Sequence, residues 1–161
     1  MTIQLVQTIT VGAGGASSIE FTAIPSNADD IYLVLSGRST NADSSISLRV
    51  NGSASNLYML RLTGYGSSVD SGTSTSQIGN ISGSDYTSNT FGNTDLRVFK
   101  YASSDTYKTF SSNGVSENNA TLAVQNAYAG RWLSTSAITS IGFWGNFAQH
   151  STASLYTITK A

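Results

Sequence analysis

The sequence contains one histidine, His150, in the segment NFAQHST. A Ser-His-acid hydrolase could be built around it only if the fold presented a serine nucleophile beside the ring. The Gly-x-Ser-x-Gly turn that presents such a serine in many hydrolases does not occur in this sequence. The two glutamates, Glu20 and Glu117, and the scattered aspartates show no spacing that indicates a glycosidase pair. We therefore interpret His150 as a surface or turn residue and predict that the protein is not an enzyme.

Two further segments could bind ions or phosphate. Asp29 and Asp30 form the only adjacent acidic pair, and calcium is one interpretation, although the EF-hand spacing is missing. The favoured interpretation is a turn, because aspartate side chains bond nearby backbone in turns. The glycine cluster at 12–15 is also interpreted as a turn, since no Gly-Lys-Ser/Thr follows it. The sequence predicts neither a metal site nor a cofactor.

Six aromatic residues are candidates for binding. Trp132, Trp144 and Tyr128 could stack on sugar rings, but large aromatic residues are also the usual fillers of a sandwich core. Another three aromatic residues stand alone in the polar stretch 64–93 and either pin that stretch to the core or contact a partner. These are Tyr65, Tyr86 and Phe91.

The composition excludes several classes of protein. A net charge of −1, with eight basic residues spread singly along 161 positions, gives no electrostatic footprint for nucleic acid. The absence of cysteine excludes disulfides and thiolate metal sites. No apolar run is long enough to span a membrane, and the first residues do not form a secretory signal. Charged residues make up only 11% of the chain, which suits a surface that packs against other subunits.

The elements that would position these residues are strands. Residues 31–38 are apolar on both faces in their first half, as in a strand buried within a sheet. Residues 45–50 alternate, with Ile46, Leu48 and Val50 on one face, and residues 58–62 repeat this pattern. Other strands are predicted at 4–11, 18–21, 95–101, 108–115, 121–129, 138–144 and 154–158. The fold class predicted is all-β, a single-domain antiparallel two-sheet sandwich over residues 1–161 that is jelly-roll-like.

Two stretches are harder to assign. Residues 64–93 are rich in Gly, Ser and Thr, and within them only a short strand at 77–81 is predicted. Residues 120–132 contain several alanines, which a helix would also tolerate.

The order of these segments resembles a family of phage virion proteins that have a jelly-roll-like β-sandwich. The resemblance lies in strand-and-turn patterns and covers most of the chain except residues 69–89. In the closing strand, Thr157 stands where the family usually has a glycine after the tyrosine. The matching segments are 19–25, 30–38, 48–52, Tyr58, 61–67, 118–121, 138–141 and 154–161.

The resemblance implies a structural role without an active site. We expect a capsid decoration (cement) protein that forms a homo-oligomer, in particular a trimer, and binds the major capsid protein on the virion surface after synthesis in the host cytoplasm. A chain that begins at its own Met1 without a fibrous leader favours this role. The alternative is a tail-fibre or spike domain that binds host surface polysaccharide.

Overall fold

A computed structural model describes residues 1–118 and 123–160. These residues form twelve β-strands in two antiparallel sheets, which confirms the predicted all-β two-sheet architecture. No helix that could span a membrane is present in the described part of the chain. The strands are β1 (Thr2–Thr10), β2 (Ala16–Phe21), β3 (Asp30–Gly37), β4 (Ser45–Val50), β5 (Leu57–Tyr65), β6 (Ser68–Ser74), β7 (Gln77–Asn80), β8 (Gly92–Phe99), β9 (Lys108–Glu117), β10 (Ala123–Trp132), β11 (Ile141–Phe147) and β12 (Thr152–Thr159).

Eight of the strands pair in nested order. The first pairs with the last, β2 with β11, β3 with β8 and β4 with β7. Successive pairs alternate between the sheets, so the small sheet has the order β2-β11-β4-β7 and one half of the large sheet has the order β1-β12-β3-β8. Between successive strands of this nested set the chain therefore changes sheet, except from β4 to β7, which both belong to the small sheet.

Two inserted hairpins extend the large sheet. The β5–β6 hairpin lies between β4 and β7, and the β9–β10 hairpin lies between β8 and β11. Strand β9 pairs with β8, and β10 pairs with both β9 and β5. The large sheet consequently has the order β1-β12-β3-β8-β9-β10-β5-β6. A two-residue turn closes β5–β6, and its Gly66 has a φ of 55°, the left-handed conformation that such turns require.

The core lies between the two sheets and extends from the nested half of the large sheet into its inserted half, where Met59, Phe110 and Trp132 belong to it. Alternate residues of the facing strands point into it, as the period-two patterns predict. In β4, for example, the side chains of Ile46, Leu48 and Val50 are all fully buried. The core includes Ile19, Phe21, Ile31, Leu33, Leu35, Leu96, Val98, Ile141, Phe143, Phe147 and Leu155.

Buried polar contacts also help to close the inner face of the inserted half. The Ser112 hydroxyl donates to the Ile78 carbonyl at 2.8 Å, which ties β9 to β7 of the small sheet. At the opposite end the fully buried ammonium of Lys108 donates to carbonyl oxygens, including those of Thr106 at 2.9 Å and Thr135 at 2.7 Å. The same Nζ lies 5.9 Å from the centroid of the Trp132 ring. Burial lowers the pKa of Lys108.

Most predicted strands are confirmed, and one was missed. The alanine-rich segment is strand β10, with residues 121 and 122 of the prediction outside the described residues. Strand β7 confirms the short strand predicted at 77–81. Strand β6 was missed because its sequence, SVDSGTS, has no apolar alternation. Its conformation follows from pairing with β5 across a two-residue turn, a contribution that the residue pattern of β6 itself does not report.

The interpretation of Asp29 and Asp30 as turn residues is only half right. Asp29 is exposed and accepts a hydrogen bond from the Lys160 amide. Asp30 is the first residue of β3, and its fully buried carboxylate pairs with Arg97 at 2.8 Å and Lys160 at 3.0 Å. Burial by itself raises the pKa of Asp30, but hydrogen bonds from Arg97 and the Lys100 amide, together with Lys160, hold that pKa below its ordinary value. Asp30 thus joins β3, β8 and the end of β12.

We predict that Asp30→Asn lowers the free energy of unfolding by about 1–3 kcal/mol at neutral pH, because hydrogen bonds to a buried charge are lost. The native pKa of Asp30 is depressed, so its contribution is complete above the unfolded pKa of about 3.9 and is lost as the pH falls through the native pKa. Urea unfolding of both proteins across the acidic range should show the two curves converging at low pH. The exposed Asp85→Asn is the control and should follow the wild type; a gap that stays constant with pH would contradict the assignment.

Candidate binding surface

The outer face of the large sheet is the most extensive regular surface of the molecule. Residues that lie directly opposite one another in neighbouring strands point to the same side of a sheet. One such row runs from Leu5 at the β1 edge, through Tyr156, Tyr32, Arg97, Ser111 and Ala129, to Leu60 and Thr73 at the β6 edge. The small sheet packs on the opposite face, so this row is directed to solvent.

Part of the inserted half of this face is apolar, with the Arg131 guanidinium beside it at 6.0 Å from the Tyr58 ring centroid. Leu60 and Leu62 of β5 are 55% and 56% exposed, and the alanines Ala129 and Ala127 lie directly opposite them in β10. With Tyr58 they form what we call the apolar zone (Tyr58, Leu60, Leu62, Ala127, Ala129). Its centre is a shallow depression of about 530 Å³, flanked by Ser71 and Thr73 of β6. Exposed apolar patches of this kind mark interaction sites on soluble proteins.

The alternation in β5 predicts the opposite orientation. An apolar set spaced by two residues is expected to face the core, which would bury Leu60 and Leu62. In the structure Met59 is buried instead, and Arg61 lies on the inner face, where it pairs with Asp70 at 2.6 Å. Strand β5 carries apolar residues on both faces, so pattern alone could not identify which set is exposed. The pairing of the two hairpins decides it.

Both edges of the large sheet lack the usual protection against pairing with another chain. Edge strands are ordinarily blunted by lysine, proline or a covering segment. Strand β1 has no charged residue and no proline, and its Ile3 and Leu5 are more than half exposed. Strand β6 has only Asp70, whose charge is paired with Arg61 of its own sheet. A register shift after Leu5 is the one irregularity in the pairing of β1 with β12.

The three aromatic residues considered for sugar stacking do not form a common surface. Trp132 and Tyr128 lie on the inner face of β10, where they are 7% and 4% exposed. Trp144 belongs to the small sheet, and the Arg49 guanidinium covers its ring at 4.6 Å from the centroid. This placement agrees with the interpretation of Trp132 and Tyr128 as core residues.

The three aromatic residues considered for partner contact are also separated. Tyr65 ends strand β5 and is 40% exposed. Tyr86 and Phe91 are half-buried in the segment that leads to β8, within a loop that the Arg38 side chain organises. The guanidinium donates to the carbonyl oxygens of Ser84 (3.1 Å), Tyr86 (2.9 Å), Thr87 (2.9 Å) and Thr90 (3.1 Å). The Arg38 side chain thus holds this loop through its backbone carbonyl oxygens, and the roles of Tyr86 and Phe91 stay predictions.

The described residues show no cluster of three or more His, Asp or Glu side chains that could hold a metal ion. His150 lies exposed in a turn with a φ of 71°, as the sequence predicts. No protein family, curated protein or solved structure matches this chain. The geometry of the apolar zone and the sheet edges is therefore the main evidence on function.

We predict that Arg38→Lys loosens the loop without unfolding the sheets. A lysine has three donors at one point and cannot reproduce the planar fork that reaches four carbonyl oxygens. Hydrogen bonds to charged groups are worth about 1.5–3 kcal/mol, so amide exchange at residues 84–90 should accelerate roughly tenfold or more.

Hydrogen exchange followed by mass spectrometry measures this change. Arg49→Lys is the matched control, because Arg49 stacks on Trp144 in the other sheet. Unchanged exchange in the Arg38→Lys loop would show that the aromatic side chains, and not the guanidinium, hold the segment.

Proposed function

We propose that this protein is a bacteriophage capsid decoration (cement) protein that self-associates and binds the outer surface of the shell. The observation that carries the proposal is the apolar zone, which lies on strands added outside the nested eight-strand core and continues to an unprotected sheet edge. A surface of this kind is suited to subunit contact, because it has little charge to desolvate.

The self-association surface follows from the two sheet edges. Apolar side chains flank both edges on the same outer face, Ile3 and Leu5 at one and Leu60 and Leu62 at the other. In our proposal the β6 edge of one copy meets the β1 edge of the next. A contact between two different surfaces generates a ring when the rotation closes, and a trimer is the ring that we propose.

The connection order supports a jelly roll. Eight strands that pair first with last and alternate between two sheets have the connectivity of that fold, with the two hairpins as insertions. We propose that the eight-strand core is a jelly roll, as the resemblance to phage virion proteins implies. Association would stabilise the shell by mass action, since a ligand that binds only the assembled state shifts the equilibrium towards it.

We predict that the wild-type protein has about three times the 16.9 kDa monomer mass in solution, and that the double variant Leu60→Ser, Leu62→Ser is monomeric. Both leucines are exposed, so thermal stability of the separated subunit should be nearly unchanged. Light scattering coupled to size exclusion measures the mass.

Tyr107→Ser is the matched control, because Tyr107 is equally exposed (56%) but lies outside the apolar zone. A wild type that stays monomeric at high concentration, or a double variant that still assembles, would refute this mode of association.

The decoration role is tested by cryo-EM of virions with and without the protein. Density on the faces of the shell is the expected result. Density confined to the tail would replace the proposal by the tail-fibre alternative, and absence from the particle would refute both.

A further inference from the structure

A second concave region lies on the outer face, beside the apolar zone. It is a depression of about 240 Å³ across β8, β9 and β10. Within it, Asp95 of β8 lies opposite Asn113 of β9. Asn93 of β8 lies opposite Val115 of β9, which in turn lies opposite Gln125 of β10. Val34 of β3 lies next to Asp95 and adds an apolar side chain. All these positions are within paired strands, so the side chains project from a rigid frame.

The carboxylate of Asp95 is held in a defined environment. Partial burial raises the pKa of Asp95, while hydrogen bonding from Asn113 and Tyr32 acts in the opposite direction. Within the described residues, the ion pairs are those of Asp30 and Asp70, so the Asp95 carboxylate is in none of them. Arg97 follows Asp95 by two positions in β8 and lies on the same outer face, where its guanidinium is directed to Asp30 and lies 4.8 Å from the Phe99 ring centroid.

Aromatic rings adjoin the depression. Tyr32 packs against Tyr156 with a centroid distance of 6.4 Å and an interplanar angle of 42°. Tyr32 lies diagonally from Asp95 on the same face, and burial together with the charge of Asp95 raises the pKa of Tyr32. The depression thus offers one carboxylate and three amides, and the half-exposed rings of Tyr32 and Tyr156 lie beside it on the same face.

This set of groups matches a neutral sugar better than other ligand classes. Sugar hydroxyls both donate and accept, as amides do, and a carboxylate accepts from two hydroxyls strongly. The apolar faces of pyranose rings suit tyrosine and valine side chains. An anionic ligand would meet the Asp95 charge without a lining cation, and an apolar ligand would leave the amides unpaired.

We propose that this depression binds a neutral hexopyranose unit of an oligosaccharide. Asp95 and Asn113 hold the hydroxyls, and Asn93 and Gln125 flank them. The site binds and does not cleave, because Asp95 is the sole carboxylate in the lining and glycoside hydrolysis needs a pair. The inference is independent of where the protein sits on a virion.

The test is calorimetric titration of the full-length protein with maltohexaose, cellohexaose and mannohexaose, with amide chemical shifts followed by NMR. We expect at least one to bind with a Kd of about 1 mM or tighter. Shifts should be confined to β3, β8, β9, β10 and β12. Asp95→Asn and Asn113→Ala should each weaken binding roughly tenfold or more. Asn146→Ala removes an exposed amide from the small sheet and should change nothing.

Failure of all three sugars to bind, or binding that the Asp95 and Asn113 variants leave intact, overturns the inference. The Leu60→Ser, Leu62→Ser double variant separates the two proposals. It should bind the sugar as the wild type does, so a loss of binding there would also overturn a site confined to the depression. Assembly without sugar binding would refute only this inference.

Discussion

A four-stranded sheet cannot cover an eight-stranded one, and this mismatch constrains the rest of the structure. The small sheet buries the inner faces of β12, β3 and β8, where most side chains are apolar, whereas the residues of β1 are exposed except for the half-buried Ile9. Beyond β8 the inner face combines apolar core residues, such as Phe110 and Trp132, with buried polar side chains. The Thr63 hydroxyl bonds the Asn126 side chain at 3.0 Å, and carbonyl oxygens accept hydrogen bonds from Lys108. Among the described residues, Ser116 Oγ, Asn126 Nδ2 and Tyr128 Oη are buried there without a hydrogen-bond partner.

The same mismatch accounts for the surface chemistry. Strands β5 and β6 extend furthest from the small sheet, and they carry the exposed leucines and one of the open edges. The middle of the outer face carries amides and Asp95 instead. One sheet thus presents an apolar region and a polar region side by side. Their side chains come from neighbouring strands whose register the backbone hydrogen bonds fix, so the spacing between them does not depend on a mobile loop.

Local pattern was sufficient for most of the fold. Strands such as β4, with Ile46, Leu48 and Val50 on one face, are specified by alternation and by the Asn51-Gly52 turn that follows, in which both residues have positive φ. Strand β6 and the outward orientation of Leu60 were not predictable in this way. Strand β6 is set by pairing with β5 across their shared turn, and the orientation of Leu60 is set by pairing with Ala129 of the other hairpin. A strand with apolar residues on both faces carries no information about which face is covered.

The candidate surfaces were less accessible to sequence reasoning than the fold. Trp132 and Tyr128 were candidates for sugar stacking because they are aromatic. Both are buried on the inner face of β10, where their bulk fills the interior. Asp95, Asn113 and Gln125 belong to three strands and meet only because β8, β9 and β10 align. Amides and single carboxylates are common in β-protein sequences, so their convergence becomes informative only once the register is known.

The two insertions explain how binding surfaces can coexist with a stable core. Each hairpin occupies a connection between nested strands, and neither replaces a strand of the nested set. The hairpins pair with each other through β10 and β5, and buried side chains such as Met59, Phe110 and Trp132 join them to the core. Substitutions on their outer face touch few core side chains. The ion pairs of Asp30 with Arg97 and Lys160 lie in the nested half of the sheet, where they join β3, β8 and the end of β12. The apolar zone therefore lies wholly on the added strands, whereas the depression around Asp95 also uses β8 and β3 of the nested set.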